Sequence, residues 1–144
     1  MIQRGARLRR SPFFDATLAA GCRSYTVYNH TLLPSTYDDP EAEYRHLLEH
    51  AALWDVAVER QVEVSGPDAF DFAQLLTPRD LASCAVGQGK YVVIVDEDGG
   101  VLNDPVLMRL AEDRFWFSAA DSDILLWARA GLDTRPFRPS VRKA

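Results

Sequence analysis

The spacing of apolar residues along this chain of 144 residues predicts helices that alternate with strands. Apolar residues at helical spacing, with Ser, Asp and Pro as start signals, predict helices at 12–20, at 39–50, after Gly66-Pro67-Asp68 and at about 121–130. Runs of β-branched and aromatic residues predict strands at 24–28, 61–65, 91–95, 101–110 and 115–118. The segment 39–50 is the most periodic, with Tyr44, Leu47 and Leu48 on one face, whereas the Pro-containing segment before it is expected to be a loop.

Short turns at 96–100 and 111–114 join the last three strands, which therefore form an antiparallel meander. Helices alternating with strands, followed by strands joined in hairpins, indicate an α+β fold with helices on one face of an antiparallel sheet. One domain is expected at this length, over residues 11–131. It lies between a basic N-terminal tail, 1–10, and a basic, Pro-containing C-terminal tail, 132–144, expected to be unstructured or held only by a partner.

Composition and charge exclude several classes of protein. Hydrophobic residues make up 47% and charged residues 26%, which is typical of globular proteins. The longest apolar run, 91–95, is too short to span a membrane, and without a recognisable secretory signal we expect a cytoplasmic protein with no membrane partner. Residues 11–127 carry 7 basic and 20 acidic side chains, a balance of −13. Such a body repels nucleic acid, so no nucleic-acid partner is expected.

The common catalytic signatures are mostly missing from the sequence. His46 and His50 share a helix face, but a zinc site needs a third protein ligand, so a solvated face is the preferred interpretation and no metal is expected. Cys22 and Cys84 lack metal-ligand spacing and are expected to be reduced and packed inside. The Gly-containing segment 87–90 precedes a strand, not a helix, and is interpreted as a turn.

Asp104 stands out because, with Pro105, it interrupts a segment that otherwise has the pattern of a strand, 101–110. Proline removes a donor from the strand ladder, and Asp and Asn are disfavoured inside strands. The segment therefore predicts an edge strand, a bulge or a place where a ligand approaches. The pattern leaves two interpretations open, a structural irregularity and a functional carboxylate.

Five separated motifs occur in the order and approximate spacing of one known family: EYRHL at 43–47, LWDV at 53–56, VEVSGPDA at 62–69, LLTPRD at 75–80 and GGVLND at 99–104. These motifs resemble the aminomethyltransferase family, the tetrahydrofolate-dependent T-protein of glycine cleavage and its relatives. Four blocks are most similar to its dimethylsulfoniopropionate demethylase branch: YTVYNH at 25–30, ERQVE at 59–63, LNDP at 102–105 and DSD at 121–123. The resemblance covers about residues 8–131.

The resemblance implies a folate site at Asp104 and Tyr91. The family's carboxylate at the reacting folate nitrogens corresponds to Asp104, and an aromatic residue thirteen positions earlier that lines the folate site corresponds to Tyr91. A buried carboxylate there would hold the folate amine and stabilise positive charge as a one-carbon unit transfers, acting as an orienting group and not as a nucleophile. Tetrahydrofolate is the implied cofactor and a small-molecule one-carbon donor the implied substrate, a methyl sulfonium in the demethylase branch.

Members of that family are more than twice as long as this chain, and their first domain borrows strands from later in the chain. The resemblance therefore implies a truncated N-terminal portion with open apolar edges, completed by a homo-oligomer or a complementing chain. The first hypothesis is a folate-dependent aminomethyl or methyl transfer module. The second is a non-catalytic remnant that persists as a dimerising scaffold, and the third is an α+β domain without a ligand. The identity of the donor stays open.

Overall fold

The computed structural model describes residues 7–119, 123–133 and 137–144, and the chain divides into two compact units, Met1–Val58 and Glu59–Ala144. The described helices are α1 (Phe14–Ala19), α2 (Pro40–Glu49), α3 (Ala69–Leu75) and α4 (Ile124–Asp133). The strands described in the first unit are β1 (Arg9–Arg10), β2 (Ser24–Tyr28) and β3 (Thr31–Thr36). Those described in the second unit are β4 (Arg60–Ser65), β5 (Gly89–Tyr91), β6 (Ile94–Val95), β7 (Val101–Asn103), β8 (Val106–Ala111), β9 (Arg114–Ala119) and β10 (Ser140–Lys143). Three predicted features lie partly outside the described residues: the start of the N-terminal tail, the DSD block and helix start near 121, and residues 134–136.

The first unit contains a three-stranded sheet in the order β1-β3-β2. Asn29 and His30 both have positive φ, 50° and 58°, as in the type I′ turns that match the twist of a two-residue hairpin. A loop was predicted before the helix at 39–50. That prediction is wrong for Thr31–Thr36, which forms strand β3. Pro34 is tolerated because β1 pairs with β3 only at Thr31 and Leu32, so no ladder donor is needed at Pro34 on that side.

Local interactions fix α2 at its N-terminus. The Asp39 side chain accepts hydrogen bonds from two amides of the first turn, and Pro40 occupies the first turn itself. The Glu43 carboxylate accepts from the backbone N–H groups of Tyr37 and Asp38 at 2.8 and 2.6 Å. However, none of the residues of α2, all of which are described, is buried. The apolar face predicted from the periodicity is exposed, because no other described element of this unit covers it.

The second unit contains a five-stranded antiparallel sheet in the order β10-β4-β9-β8-β5. The predicted meander is present as β5, β8 and β9, while β6 and β7 form a separate two-stranded sheet. Helices α3 and α4 pack with this sheet in one hydrophobic core that includes Phe72, Ile124, Ala128, Val62, Val64, Phe115 and Phe117. The predicted α+β class with an antiparallel sheet is confirmed.

The C-terminal tail was expected to lack structure, but Ser140–Lys143 forms strand β10. It pairs antiparallel with β4, from Ser140 opposite Ser65 to Lys143 opposite Val62. In addition, α4 continues through Gly131 to Asp133, and a Cβ built on Gly131 would lie 3.8 Å from the Phe72 ring. Four residues with two basic side chains carry a weak local β signal, so this strand depends on its long-range partner.

The expectation of an N-terminal tail also needs correction, because Arg9 and Arg10 form β1, which pairs parallel with β3.

Both cysteines are free and buried, as predicted. Over the described ranges, the helices are all too short or too polar to cross a bilayer.

Candidate functional site

The predicted interruption at Asp104 and Pro105 is a break between two sheets. Strand β7 ends at Asn103 and β8 begins at Val106, so the chain leaves one ladder and enters another within two residues. Pro105 is fully buried, and its carbonyl accepts a hydrogen bond from the Val92 N–H at 3.0 Å. The missing N–H of proline falls between ladders, where a strand needs no donor.

The break brings the two predicted site residues together. Tyr91 is the last residue of β5 and pairs with Val106 of β8, and Asp104 lies two positions before Val106. Diagonal neighbours of this kind share one face of an antiparallel pair and lie within reach of an aromatic side chain. The Tyr91 hydroxyl donates a hydrogen bond to Oδ2 of Asp104.

Both side chains are accessible, and Tyr91 is 55% exposed. The expected burial of the carboxylate is therefore wrong for Asp104, which is exposed because the described part of this unit leaves the break open. An ionised carboxylate accepts several hydrogen bonds, so the bond from Tyr91 leaves capacity for an N–H donor of a ligand. The Tyr91 ring adds a flat apolar surface next to it.

A cluster of charged side chains around the buried Glu63 was not predicted as a functional feature. The Glu63 side chain is 2% exposed and accepts hydrogen bonds from Trp116 Nε1 at 2.8 Å and from Arg114 Nε at 2.8 Å. Arg142 of β10 donates to its other oxygen from Nε at 3.0 Å and from a terminal nitrogen at 2.7 Å. These bonds, led by the one from Trp116, lower the pKa of Glu63 to about 2 against the opposing effect of burial. The cluster joins β4, β9 and β10.

The sequence contains no signal for this cluster. Side chains alternate along β4, so Glu63 points to the other face of the sheet from Val62 and Val64, where a charged side chain ordinarily contacts solvent. All three residues are buried. Strand β10 covers one edge of β4 and carries Arg142, and no local pattern reveals a partner 79 positions away.

Two adjoining cavities lie in the first unit, with volumes of about 260 and 500 Å³. Both are lined by Tyr37, Leu53, Trp54 and Asp55, and neither includes Tyr91 or Asp104. Ser11 donates a hydrogen bond to Asp55, and burial raises the pKa of the Tyr37 hydroxyl. The rings of His46 and His50 lie 4.7 Å apart on α2, and among the described residues no group of three or more potential ligands could hold a metal ion.

The protein has an α+β fold. In its candidate site, the break between β7 and β8 places the carboxylate of Asp104 beside the hydroxyl of Tyr91. A model of the family described as GCVT N-terminal domain matches residues 13–141. The chain is 51% identical over 140 residues to dimethylsulfoniopropionate demethylase DmdA of Ruegeria pomeroyi, covering 94% of this chain and 38% of that protein. It is 35% identical over 109 residues to an aminomethyltransferase of Symbiobacterium thermophilum, covering 76% and 29% respectively.

A solved structure supports the same assignment. The aminomethyltransferase T of the glycine cleavage system from Bartonella henselae matches with a TM-score of 0.74 and 29% identity, over 95% of this chain and 38% of that one. The chain belongs to the GCVT N-terminal domain family, which confirms the resemblance predicted from the motifs. It spans well under half the length of these relatives.

Proposed function

We propose that this chain supplies the folate-facing carboxylate of a tetrahydrofolate-dependent one-carbon transferase, with Asp104 as the catalytic residue and Tyr91 lining the folate site. The observation that carries the proposal is the contact between the Tyr91 hydroxyl and the Asp104 carboxylate at an open strand break. The names of the relatives, aminomethyltransferase and demethylase, describe chemistry on a one-carbon group and agree with this role.

The accessible carboxylate and its neighbouring ring suit a reduced pterin, which offers N–H donors and a flat face. When bound, tetrahydrofolate supplies the nitrogen that accepts the one-carbon unit from a small-molecule donor. Asp104 would accept a hydrogen bond from an N–H group of the folate near that nitrogen. Its negative charge would stabilise positive charge that develops on the folate during transfer. The Tyr91 hydroxyl holds the carboxylate in one orientation, so the main contribution of this pair is alignment.

The site needs further protein to enclose a ligand. Small-molecule sites usually bury most of the ligand surface, and Asp104 lies on an open surface of this chain. Because the relatives are much longer than this chain, we propose that a second copy or a complementing chain closes the site.

Calorimetric titration of tetrahydrofolate into the purified chain tests the assignment. Asp104→Asn removes the charge with little change of shape, and we expect binding at least about tenfold weaker, the usual effect of losing a hydrogen bond to a charged group. Tyr91→Phe keeps the ring and loses only the hydroxyl, so a smaller loss is expected. Asp98→Asn, in the exposed turn before β7, is the matched control and should bind like the wild type.

Absence of heat at millimolar tetrahydrofolate, both with the chain alone and with the chain combined with a complementing chain, would overturn the proposal. Equal affinity of the wild type and Asp104→Asn would overturn the role of Asp104. Far-ultraviolet circular dichroism of each variant shows whether the fold is retained.

A dimerising scaffold without catalysis is the second candidate function. Val101, Val106 and Leu110, on β7 and β8, are large apolar side chains that remain exposed, as expected for strands that lack a covering partner. This candidate predicts a stable dimer by light scattering whose mass is independent of folate, together with no titration heat. A monomer that binds tetrahydrofolate contradicts it.

A further inference from the structure

The face of the five-stranded sheet that carries Tyr91 also carries the cluster around Glu63. Side chains alternate between the two faces of a strand, and Val62, Val64 and Phe117 lie on the face that packs with α3 and α4. The strand registers place two successive rows of opposed residues on the other face. The first row is Tyr91, Val106, Ser118 and Gln61. The second row is Gly89, Met108, Trp116, Glu63 and Arg142. Tyr91 therefore shares one surface with the Glu63 cluster.

Strand spacing gives the distance between the two groups. Neighbouring strands lie about 4.8 Å apart, and each residue adds about 3.4 Å along a strand. Glu63 lies three strands across from Tyr91 and one row further along. Their backbones are therefore about 16 Å apart. The half-buried side chains of Met108 and Trp116 lie between them and form a partly apolar surface. A ligand that contacts both groups must be long, with a flat or apolar middle.

Arg114 and Arg142 bring two positive charges to a single carboxylate. Nε and a terminal nitrogen of Arg114 lie 2.8 and 2.7 Å from one oxygen of Glu63. Arg142 donates to the other oxygen from Nε at 3.0 Å and from a terminal nitrogen at 2.7 Å. Glu63 is ionised at neutral pH, because the hydrogen bonds from Trp116 and the two arginines lower its pKa to about 2. One positive charge is therefore in excess.

Both guanidinium groups keep donors for a further acceptor. Each has five N–H donors and directs two of them at Glu63, so three on each have no acceptor among the described residues. The side chains of Arg114 and Arg142 are 45% and 62% exposed, so an anion in solution can reach them. Because Glu63 already holds both side chains in place, little further ordering is needed when an anion binds. Planar guanidinium groups match the geometry of carboxylates and phosphates.

The surrounding charge makes this cluster a local exception. Residues 11–127 carry 7 basic and 20 acidic side chains, so most of the surface of the chain repels an anion. An anionic group is therefore expected to bind where two arginines face one carboxylate. Folate has the matching chemistry, since its pterin is joined through a flat aminobenzoyl group to glutamate, which carries free carboxylates.

We propose that Arg114 and Arg142 bind the glutamate carboxylates of folate, and that folates with several glutamates are the preferred form. The inference rests on the proposed function, in which Asp104 and Tyr91 contact the pterin end of the ligand. The separation of about 16 Å suits a tail of more than one glutamate. Met108 and Trp116 offer an apolar surface to the aminobenzoyl ring between the two ends.

Calorimetric titration of the full chain at low salt compares tetrahydrofolate carrying one glutamate with tetrahydrofolate carrying three γ-linked glutamates. The triglutamate form is expected to bind the wild type about fivefold more tightly, as exposed ion pairs allow, and added salt should reduce this ratio. Arg142→Gln should remove most of the advantage, whereas Arg142→Lys keeps the charge and should retain part of it. Lys143→Gln is the matched control, because it removes the same charge from the next residue of β10, on the opposite face of the sheet.

A γ-linked triglutamate peptide without a pterin tests the arginines independently of folate. Nuclear magnetic resonance detects such weak binding, and the assigned indole N–H signal of Trp116, which donates to Glu63, should shift when the peptide is added to the wild type. The shift should be lost in Arg142→Gln and retained in Lys143→Gln. Inorganic phosphate at the same concentration should cause a smaller shift, because it lacks the chain of carboxylates.

Each outcome separates this inference from the folate assignment. Peptide binding without folate binding overturns the folate assignment alone. Equal affinity for the two folates, or an advantage that Arg142→Gln leaves unchanged, overturns the tail site alone. A shift with phosphate as large as that with the peptide makes the cluster a phosphate site and also overturns the inference. Circular dichroism verifies the fold of Arg142→Gln, and the salt dependence of the wild type tests the same charges without a substitution.

Discussion

Glu63→Gln is expected to destabilise the folded chain because it removes the charge on which the β4–β9–β10 cluster depends. The wild-type carboxylate is almost fully buried and accepts hydrogen bonds from Trp116, Arg114 and Arg142. A pKa of about 2 in the folded state, against 4.5, corresponds to a contribution of about 3 kcal/mol at pH 7. Both arginines are partly exposed, 45% for Arg114 and 62% for Arg142, so water can solvate them after the substitution and about 3 kcal/mol is an upper value.

The direction of the pH dependence follows from the lowered pKa of Glu63. The unfolded state binds this proton more readily, so the contribution is fully present above pH 4.5 and is lost as pH falls towards 2. At pH 3 less than half of this contribution should remain. The difference in unfolding free energy between wild type and Glu63→Gln should therefore shrink by about 2 kcal/mol between pH 7 and pH 3.

Urea unfolding followed by circular dichroism measures this difference at both pH values. Glu41→Gln is the matched control, because Glu41 also pairs with an arginine, Arg45, and the two side chains are 70% and 69% exposed. Exposed pairs contribute about 0–1 kcal/mol, so this variant should unfold close to the wild type at both pH values. A Glu63→Gln effect below about 0.5 kcal/mol, or one that does not change with pH, would refute the reasoning.

Three further substitutions test the fold. Phe72→Ala should lower the unfolding free energy by about 3–5 kcal/mol in urea titration, because it leaves a cavity beneath α4 in the core. Gly66→Ala should lower it by about 1–2 kcal/mol, since Gly66 has φ of 113°, and a change within error would show that the turn relaxes. Asp39→Ala should cost about 1 kcal/mol through loss of the α2 cap, measured as reduced helical circular dichroism or a lower melting temperature, and an unchanged signal would argue against the cap.

The sequence predicted the strand break at Asp104 and Pro105 but not what surrounds it. Pro105 and Asp104 are incompatible with a continuous strand, so the break was visible locally, and the resemblance supplied the pairing of Asp104 with Tyr91. The exposure of Asp104 was not predictable in this way, because it depends on what covers the break. The Glu63 cluster was missed for a related reason, since its partners come from β9 and β10.

Elements with strong local signals are predictable from the sequence alone. Most helices and the meander were predicted from apolar periodicity, from the Asp39-Pro40 helix start and from the turns after β6 and β8. Caps and turns act over a few residues, so their signals are visible locally. Which faces of these elements are covered depends on long-range packing. The periodic face of α2 is exposed, part of the basic C-terminal tail forms β10, and Glu63 is buried although it alternates with the apolar residues Val62 and Val64. Burial depends on partners distant in the chain, and local patterns carry no information about which partner is present.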